Sequence, residues 1–571
     1  MPQTDNLQQQ FASFFPTEQL KQLAGELWNA LSKGSICIPT TEEAYDQATQ
    51  KWISNDVSSP KPIIRDGNKL YFFRYHRYQE VILNKIEALI QSSREKFEER
   101  AASLLRNPGL EHLRQSMDHD REVDWQTIAA LMAYLNDFMI ITGGPGTGKT
   151  STLAKVLSLL YSENPELIIK MAAPTGKAAN RMEQALKNNH MLPDELLEKV
   201  QTLKATTIHR LLGSIKLSPY FRHRRENPIA AEVVIIDEAS MVDVALFAKL
   251  MDAIGPNTRL LLLGDQNQLA SVEAGSLFGD ICSSVTEQNH LGAELIELLQ
   301  RLLRAARPQN ISSAQNAAFM RNHLIALQHS YRFDETQKIA MISKAVIQGN
   351  QDAVLQLLKD GTTPEQLIFD PEHDSAVFEQ FIAHYEDFIH EDDTKKALLK
   401  LDSMRVLAAV RMGKRGIYEL NKQIEKYLAG KKLIKPNAEF YENRPLIVTK
   451  NYYELQLFNG DIGLVRDNKA WFMDETGELR HVSPGLIAEV ETAFAMTIHK
   501  SQGSEFDKVL LVLPVNAGNE LLTRELLYTG ITRAKSSVIL QSSNEVVLAA
   551  VSKTVNRASG LQEKIIAKQQ N

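Results

Sequence analysis

The stretch FMIITGGPGTGKTSTLAKVL, Phe138 to Leu157, decides the fold. Its apolar opening is too short for a helix between turns and reads as a strand buried on both faces. The strand runs into a glycine-rich turn and then a helical stretch, which is the context that G-x-x-x-x-G-K-[ST] requires. Glycines there let backbone N–H groups close around phosphate oxygens, helped by the positive end of the following helix. The candidate nucleotide-binding residues are therefore Gly143, Gly144, Pro145, Gly146, Thr147, Gly148, Lys149, Thr150 and Ser151. Lys149 is expected to reach the β- and γ-phosphates of ATP, and Thr150 to ligate Mg²⁺.

Outward from that loop, FMIIT, LIIKMA, EVVII and RLLLL are each followed by a turn and a helical stretch, which predicts a parallel α/β sheet over about 116–335. Further strands at Arg405–Val410, Lys508–Pro514 and Ser537–Gln541 predict a second α/β domain over 336–571. Within it, from about 430 to 488, the pieces PLIVTKN, GDIGLVRD and KAWFMDE, with a turn at Glu475-Thr476-Gly477, predict a small β-barrel (SH3-like) insertion. Residues 1–115 read as a separate, mainly helical unit, with LKQLAGELWNAL and ILNKIEALIQSSREKFEERAASLL as helices. Pro60, Pro62 and Asp66-Gly67 mark turns around a short YFF strand. No catalytic constellation appears in this unit, so partner docking is its expected role.

A chain of 571 residues exceeds one core and suits three or four domains. No apolar run long enough for a membrane span is present, and the N-terminus lacks the pattern of a secretory signal. Two cysteines, Cys37 and Cys282, suit a reducing compartment and a cytoplasmic protein, and exclude a disulfide framework. The formal net charge of −6 argues against holding duplex through a globally basic surface. A narrow basic channel is still compatible with it. From Lys204 to Glu226 there are six Lys/Arg and one acid, which is either a solvated basic loop or part of such a channel.

VVIIDEAS, Val233 to Ser240, places two carboxylates at the C-terminal edge of a buried strand, where ligands bind in such sheets. Asp237 is suited to hold Mg²⁺ through water, and Glu238 to orient and activate the attacking water. In RLLLLGDQNQLASVEAGSLFGD, Arg259 to Asp280, Gln268 is suited to sense the γ-phosphate.

The succession GGPGTGKT, APTGKAANRM (Ala173 to Met182), TIHRLLG (Thr207 to Gly213), DEAS, GDQNQLASVEAGSLFGD, SYRF (Ser330 to Phe333), TIHKSQGSEFD (Thr497 to Asp507) and LLYTGITRAK resembles superfamily 1 DNA helicases. Its wording is similar to the RecD family, the alpha subunits of bacterial exonuclease V (RecBCD). GSICIP and LYFFRYHRY are similar to that family's N-terminal region. The resemblance covers about 120–545 and implies two RecA-like domains with ATP between them. It implies that Gln126, 17 positions before Gly143, reads adenine, and that Arg332 and Arg533 face the γ-phosphate across the cleft. Glu505 is implied as a ribose contact. Thr175, Lys177, Thr207, His209, Thr497, His499 and Lys500 match segments that line a single-strand channel, and such hydroxyls and cations suit phosphate contacts. For His209 and His499, packing in the fold is the competing reading.

The resemblance further implies 5′→3′ translocation along the 5′-ended strand and helicase activity. It implies assembly with RecB and RecC, action in double-strand break repair by homologous recombination and degradation of linear DNA, and a nuclease centre in another subunit. A stand-alone superfamily 1 helicase and a regulatory or assembly ATPase subunit are the alternatives.

Overall fold

The computed structural model describes residues 2–569 except 41–44, 57, 60, 119–121, 190–192, 217, 272, 276, 304–310, 314–318, 333–335, 362, 364, 475 and 476. Pro60, Phe333 of SYRF and Glu475-Thr476 of the insertion turn lie outside the described residues, as do Val272 and Ser276 of the Arg259–Asp280 stretch.

The P-loop strand Phe138–Gly143 is buried along its whole length and sits inside a six-stranded parallel sheet. The strand order is Leu324–Leu327, Phe138–Gly143, Arg259–Gly264, Val233–Ile236, Ile169–Ala173, Ala205–Thr207. A parallel sheet needs both faces covered. One face carries the helices Trp125–Leu135 and Lys149–Glu163, and the other carries Val244–Ala253 and the long helix Phe73–Leu104. That helix is 32 residues long. It buries Ile82, Leu83, Ile86, Leu89 and Ile90 at helical spacing in one core with Phe138, Ile140 and Phe247. Each such side chain contributes about 1.5–3 kcal/mol when fully buried, so part of the first 115 residues is fastened to the P-loop sheet. The N-terminal region also holds a four-stranded sheet, in the order Cys37–Pro39, Lys69–Phe72, Ile63–Asp66, Ile53–Ser54.

The second parallel sheet has five strands, in the order Leu367–Asp370, Ala534–Gln541, Phe506–Val512, Met404–Ala408, Ala495–Thr497. Between Met404–Ala408 and Ala495–Thr497 the chain makes a five-stranded antiparallel sheet, ordered Leu479–Val482, Lys469–Met473, Ile462–Arg466, Pro445–Val448, Val490–Thr492. Its last strand runs past the limit of 488 read from composition. Among the described residues no ladder joins its two outer strands.

The C-terminal segment returns to the P-loop domain and the N-terminal region after the helix Asn544–Ser552. Arg557 Nη1 donates to the Ser271 carbonyl of the former at 2.6 Å, and Tyr71 Oη of the latter donates to the Ser559 carbonyl at 3.1 Å. The helix Leu561–Gln569 buries Leu561 and Ile565 in the core shared with Ile82 and Phe138. Lys564 pairs with Asp66 and Glu80. With His76, those acids are the only cluster among the described residues spaced to hold a metal, and the Lys564 ammonium supplies their counter-charge. No helix among the described residues is long and apolar enough to cross a membrane.

Candidate nucleotide site and its inter-domain cleft

The P-loop turns through Gly146 and Gly148, with φ of 78° and 83°, a region that side chains with a Cβ rarely adopt. A Cβ also has little room at either glycine. A Cβ on Gly148 would lie 2.0 Å from Gln126 Nε2, and one on Gly146 would lie 2.3 Å from Arg332 Cβ. Gln126 and Arg332 therefore both press on the loop. Gln126, buried on the helix Trp125–Leu135, donates to the Thr147 carbonyl at 3.1 Å. The SYRF segment reaches the loop through its neighbours: Ser330 Oγ donates to the Pro145 carbonyl at 3.2 Å and Tyr331 N to the Gly146 carbonyl at 2.7 Å. Lys149 Nζ donates to the carbonyls of Gly143 at 2.7 Å and Gly144 at 3.2 Å. Thr150 and Ser151 follow in the first turn of the helix Lys149–Glu163, half-buried.

At the end of the strand Val233–Ile236, the two carboxylates are held differently. Asp237 Oδ1 accepts from Glu238 N at 2.8 Å. Burial first, and the Glu238 charge second, push its carboxyl up to about 6, while Lys149 and Arg181 pull the other way. Glu238 itself sits at φ 51°. A non-glycine residue in the left-handed region costs of order 1–3 kcal/mol, and such positions concentrate at functional sites.

Gln268 is buried, and its Nε2 donates to Asp265 Oδ2 at 3.1 Å. Its Oε1 has no hydrogen-bond partner among the described residues. Asp265 also accepts from Tyr528 Oη at 2.9 Å. Burial raises its carboxyl above the usual range, with Lys149 opposing. Tyr528 belongs to LLYTGITRAK, so this hydrogen bond crosses between the two parallel-sheet domains. Two more do the same: Leu269 N donates to Thr529 Oγ1 at 3.0 Å, and Gln502 Nε2 to the Leu269 carbonyl at 2.6 Å.

Arg533 is 2% exposed. Its guanidinium donates to the carbonyls of Ser504 at 3.0 Å and Thr529 at 3.3 Å. Burial pulls its pKa below the ordinary value, and the charges of Glu238 and then Glu505 oppose that. Glu505 receives the guanidiniums of Arg332 and Arg181, both from the first domain's side. Burial alone would raise its carboxyl, but Arg181 and Arg332 together bring it down to about 2. A depressed carboxylate stabilises the fold above its unfolded-state value and loses that stabilisation as pH falls toward the folded value. Relative to Glu505→Gln, the wild type is therefore expected to gain up to roughly 3 kcal/mol at neutral pH. Chemical denaturation of both proteins should show that difference shrinking as pH drops from about 4.5 toward 2. A difference independent of pH across that window would contradict the ion-pair account.

The seven residues assigned to a strand channel are dispersed over both domains, and many have structural duties. Thr175, Thr207 and Thr497 accept from the amides of Ala178, Arg210 and Lys500 at 3.3, 3.2 and 3.2 Å, so each hydroxyl caps the turn that follows it. Lys177 faces Asp402 at 3.6 Å and Lys500 pairs with Glu491 at 2.8 Å. His209 is exposed and its ring centre lies 5.8 Å from that of Phe221. His499 is half-buried, and burial, then nearby Arg557, push its pKa below the ordinary value, which favours a neutral packing ring.

The site also contains residues that local reading missed. Asp265 and Tyr528 lie inside stretches quoted for other positions. Arg181 lies in APTGKAANRM, four residues after Lys177, a spacing that puts both on one helix face.

Comparison with known proteins agrees with this geometry. Residues 126–274 match the AAA domain family, and residues 492–541 match the UvrD-like helicase C-terminal domain family. The chain is 36% identical over 478 residues to RecBCD enzyme subunit RecD of Haemophilus influenzae, covering 78% of this chain and 72% of that one. It is 32% identical over 568 residues to the RecD subunit of Mycolicibacterium smegmatis, covering 94% and 92%. It is 27% identical over 437 residues to the ATP-dependent RecD2 DNA helicase of Deinococcus radiodurans, covering 75% of this chain and 50% of that one. With a P-loop strand, a carboxylate pair and an arginine-bearing second sheet meeting in one cleft, and with identity sustained over nearly the full length of a curated relative, the chain belongs to the RecD family.

Proposed function

We infer that this chain is an ATP-dependent DNA helicase subunit that moves 5′→3′ along single-stranded DNA within a RecBCD-type helicase–nuclease, acting in double-strand break repair and degradation of linear DNA. The observation that carries this reading is the hydrogen-bond network across the cleft, in which Asp265, Leu269 and Glu505 tie the P-loop domain to the domain that holds Arg533. A plain ATPase needs no second sheet wired to its nucleotide loop. A motor does, because domain closure must follow nucleotide state.

In this reading 116–335 and 336–571 are the two RecA-like domains, the antiparallel insertion is the SH3-like element, and the first 115 residues dock partners. ATP lies on the P-loop with its base near Gln126 and its ribose toward Glu505. Lys149 steadies the β- and γ-phosphates, Glu238 orients and deprotonates the attacking water, and Gln268 senses the γ-phosphate. Arg332 and Arg533 neutralise charge on the transferring phosphoryl group. Thr150 and Asp237 offer a hydroxyl and a carboxylate, hard oxygen donors that fit Mg²⁺. Bound there, the ion would neutralise phosphate charge. Thr175, Lys177, Thr207 and His209 on one side, and Thr497 and Lys500 on the other, line the path of the DNA strand, with His499, between the latter two in sequence, packed as a neutral ring. RecB and RecC are the partners by family. The two cysteines are free buried thiols, in keeping with a cytoplasmic protein.

The test is strand displacement by the chain co-purified with its partner subunits, on duplexes with a 5′ or a 3′ single-stranded tail. To isolate this motor, the partner helicase carries a disabled P-loop. The 5′-tailed duplex is expected to be unwound and the 3′-tailed one left intact. Unwinding confined to the 3′-tailed substrate would overturn the polarity, and the absence of DNA-stimulated ATP hydrolysis would overturn the motor.

A further inference from the structure

The helix Gly176–Lys187 touches the second domain along one face, and the contacts are ordered. At its start, Lys177 faces Asp402, which in turn holds buried Arg405 at 3.0 Å. One step on, Ala178 and Thr175 pack on the Gln502-Gly503 turn. A Cβ on Gly503 would lie 3.5 Å from Ala178 Cβ and 3.8 Å from Thr175 Oγ1. One turn further, Arg181 pairs with Glu505, which also holds Arg332 against the P-loop. The charges of Glu238 and Asp237 also act on the Arg181 guanidinium. One rigid helix thus carries strand-channel residues at one end and, four residues later, a cation that touches the ATP site.

We propose that Arg181 is the positioning residue through which DNA occupancy reaches the ATP site: it holds Glu505, and through Glu505 sets where Arg332 stands relative to the phosphates. This rests on the motor reading above. The physics is a shared acceptor. Glu505 has one carboxylate for two guanidiniums, so a shift of the helix that tightens or loosens Arg181 changes how firmly Glu505 retains Arg332. A strand gripped by Thr175 and Lys177 bears on that helix directly. Arg181 has no need to touch nucleotide for this. An arginine fork can engage the carboxylate while the charge of Glu238 still acts on it, which a lysine's single ammonium cannot match.

The experiment measures ATP hydrolysis by the full chain in its complex, with the partner helicase's P-loop disabled, with and without oligothymidylate. Arg181→Ala is expected to lower the ratio of DNA-stimulated to basal kcat by roughly tenfold, with KM for ATP moving less than about threefold. Arg181→Lys should recover part of the ratio. The Arg181 side chain is 41% exposed, so truncation leaves no core cavity, and the lysine variant guards against a folding defect. Glu505→Gln should lower the ratio too, and the double variant should fall no further, because both changes break one linkage. An unchanged ratio in Arg181→Ala, or full additivity in the double variant, would overturn the proposal while leaving the motor standing. A wild type unstimulated by DNA would remove the motor reading and this inference with it.

Discussion

Lys149→Ala is expected to lower kcat for ATP hydrolysis at saturating DNA by at least about 100- to 1,000-fold, the usual effect of deleting one preorganised group that meets developing charge. The argument has two parts. The ammonium lies within hydrogen-bond reach of the Gly143 and Gly144 carbonyls, on the inner wall of the turn where phosphate oxygens belong. It is also the main cation that opposes the raised pKa of both Asp237 and Asp265. Removing it deletes a phosphate contact and pushes both carboxyls further toward their protonated forms, so the variant loses charge stabilisation twice. Folding should be little affected, because Lys149 is half-buried and both of its hydrogen bonds lie within its own loop. Steady-state ATPase measurement beside a thermal melt checks this. A loss of only a few-fold would remove Lys149 from the phosphates, and a melting temperature lowered by more than about 5 °C would mark a structural role.

What could be read locally was set by length and period. FMII of Phe138–Gly143, VVII of Val233–Ile236 and LLLL of Arg259–Gly264 are apolar runs bounded by turns, short enough to suit buried parallel strands better than helices. Ala205–Thr207 and Ala495–Thr497 have three residues each, too few to show a period, and they exist because a neighbouring strand supplies their partners. The fifth insertion strand, Val490–Thr492, escaped for the same reason, and the fourth, Leu479–Val482, because LRHV shows neither an apolar run nor alternation. The helix of the N-terminal region was legible from Ile82 onward. Its first turns, Phe73 to Val81, were hidden because aromatic and basic residues there mask the repeat.

The site divides along the same line. Lys149, Asp237 and Glu238 stand in short motifs with their own strand and turn, so local spacing singles them out. Asp265 meets Tyr528 across 263 positions, and Arg332 meets Glu505 across 173. No periodicity can announce such pairs. Nothing in the local sequence around Arg181 singles it out, and its partner Glu505 is brought to it only by the fold.

Arg533 carries the other large effect. Arg533→Lys is expected to lower kcat by roughly 1,000-fold, the lower bound for losing an arginine that faces a transferring phosphoryl group, with equilibrium ATP affinity changed less than about threefold. Lysine is the informative substitution. A truncation to alanine would take from the buried Ser504 carbonyl its guanidinium donor, at about 1–3 kcal/mol for an unsatisfied group, while the Thr529 carbonyl would keep Thr532 Oγ1. The resulting instability would cloud the kinetics. Lysine retains the charge beside Glu238 and Glu505 but not the planar fork that serves a carbonyl and a phosphate together. An arginine that only braces Ser504 and Thr529 would be replaced by lysine with lower stability and a nearly normal kcat. An arginine that also meets the phosphoryl group gives the opposite pattern, a folded protein that binds ATP and hardly turns it over. Equilibrium nucleotide binding, single-turnover hydrolysis and a thermal melt on the same preparation separate the two. A kcat within about threefold of wild type would remove Arg533 from the reaction and leave it a brace inside the second domain, between Ser504 and Thr529.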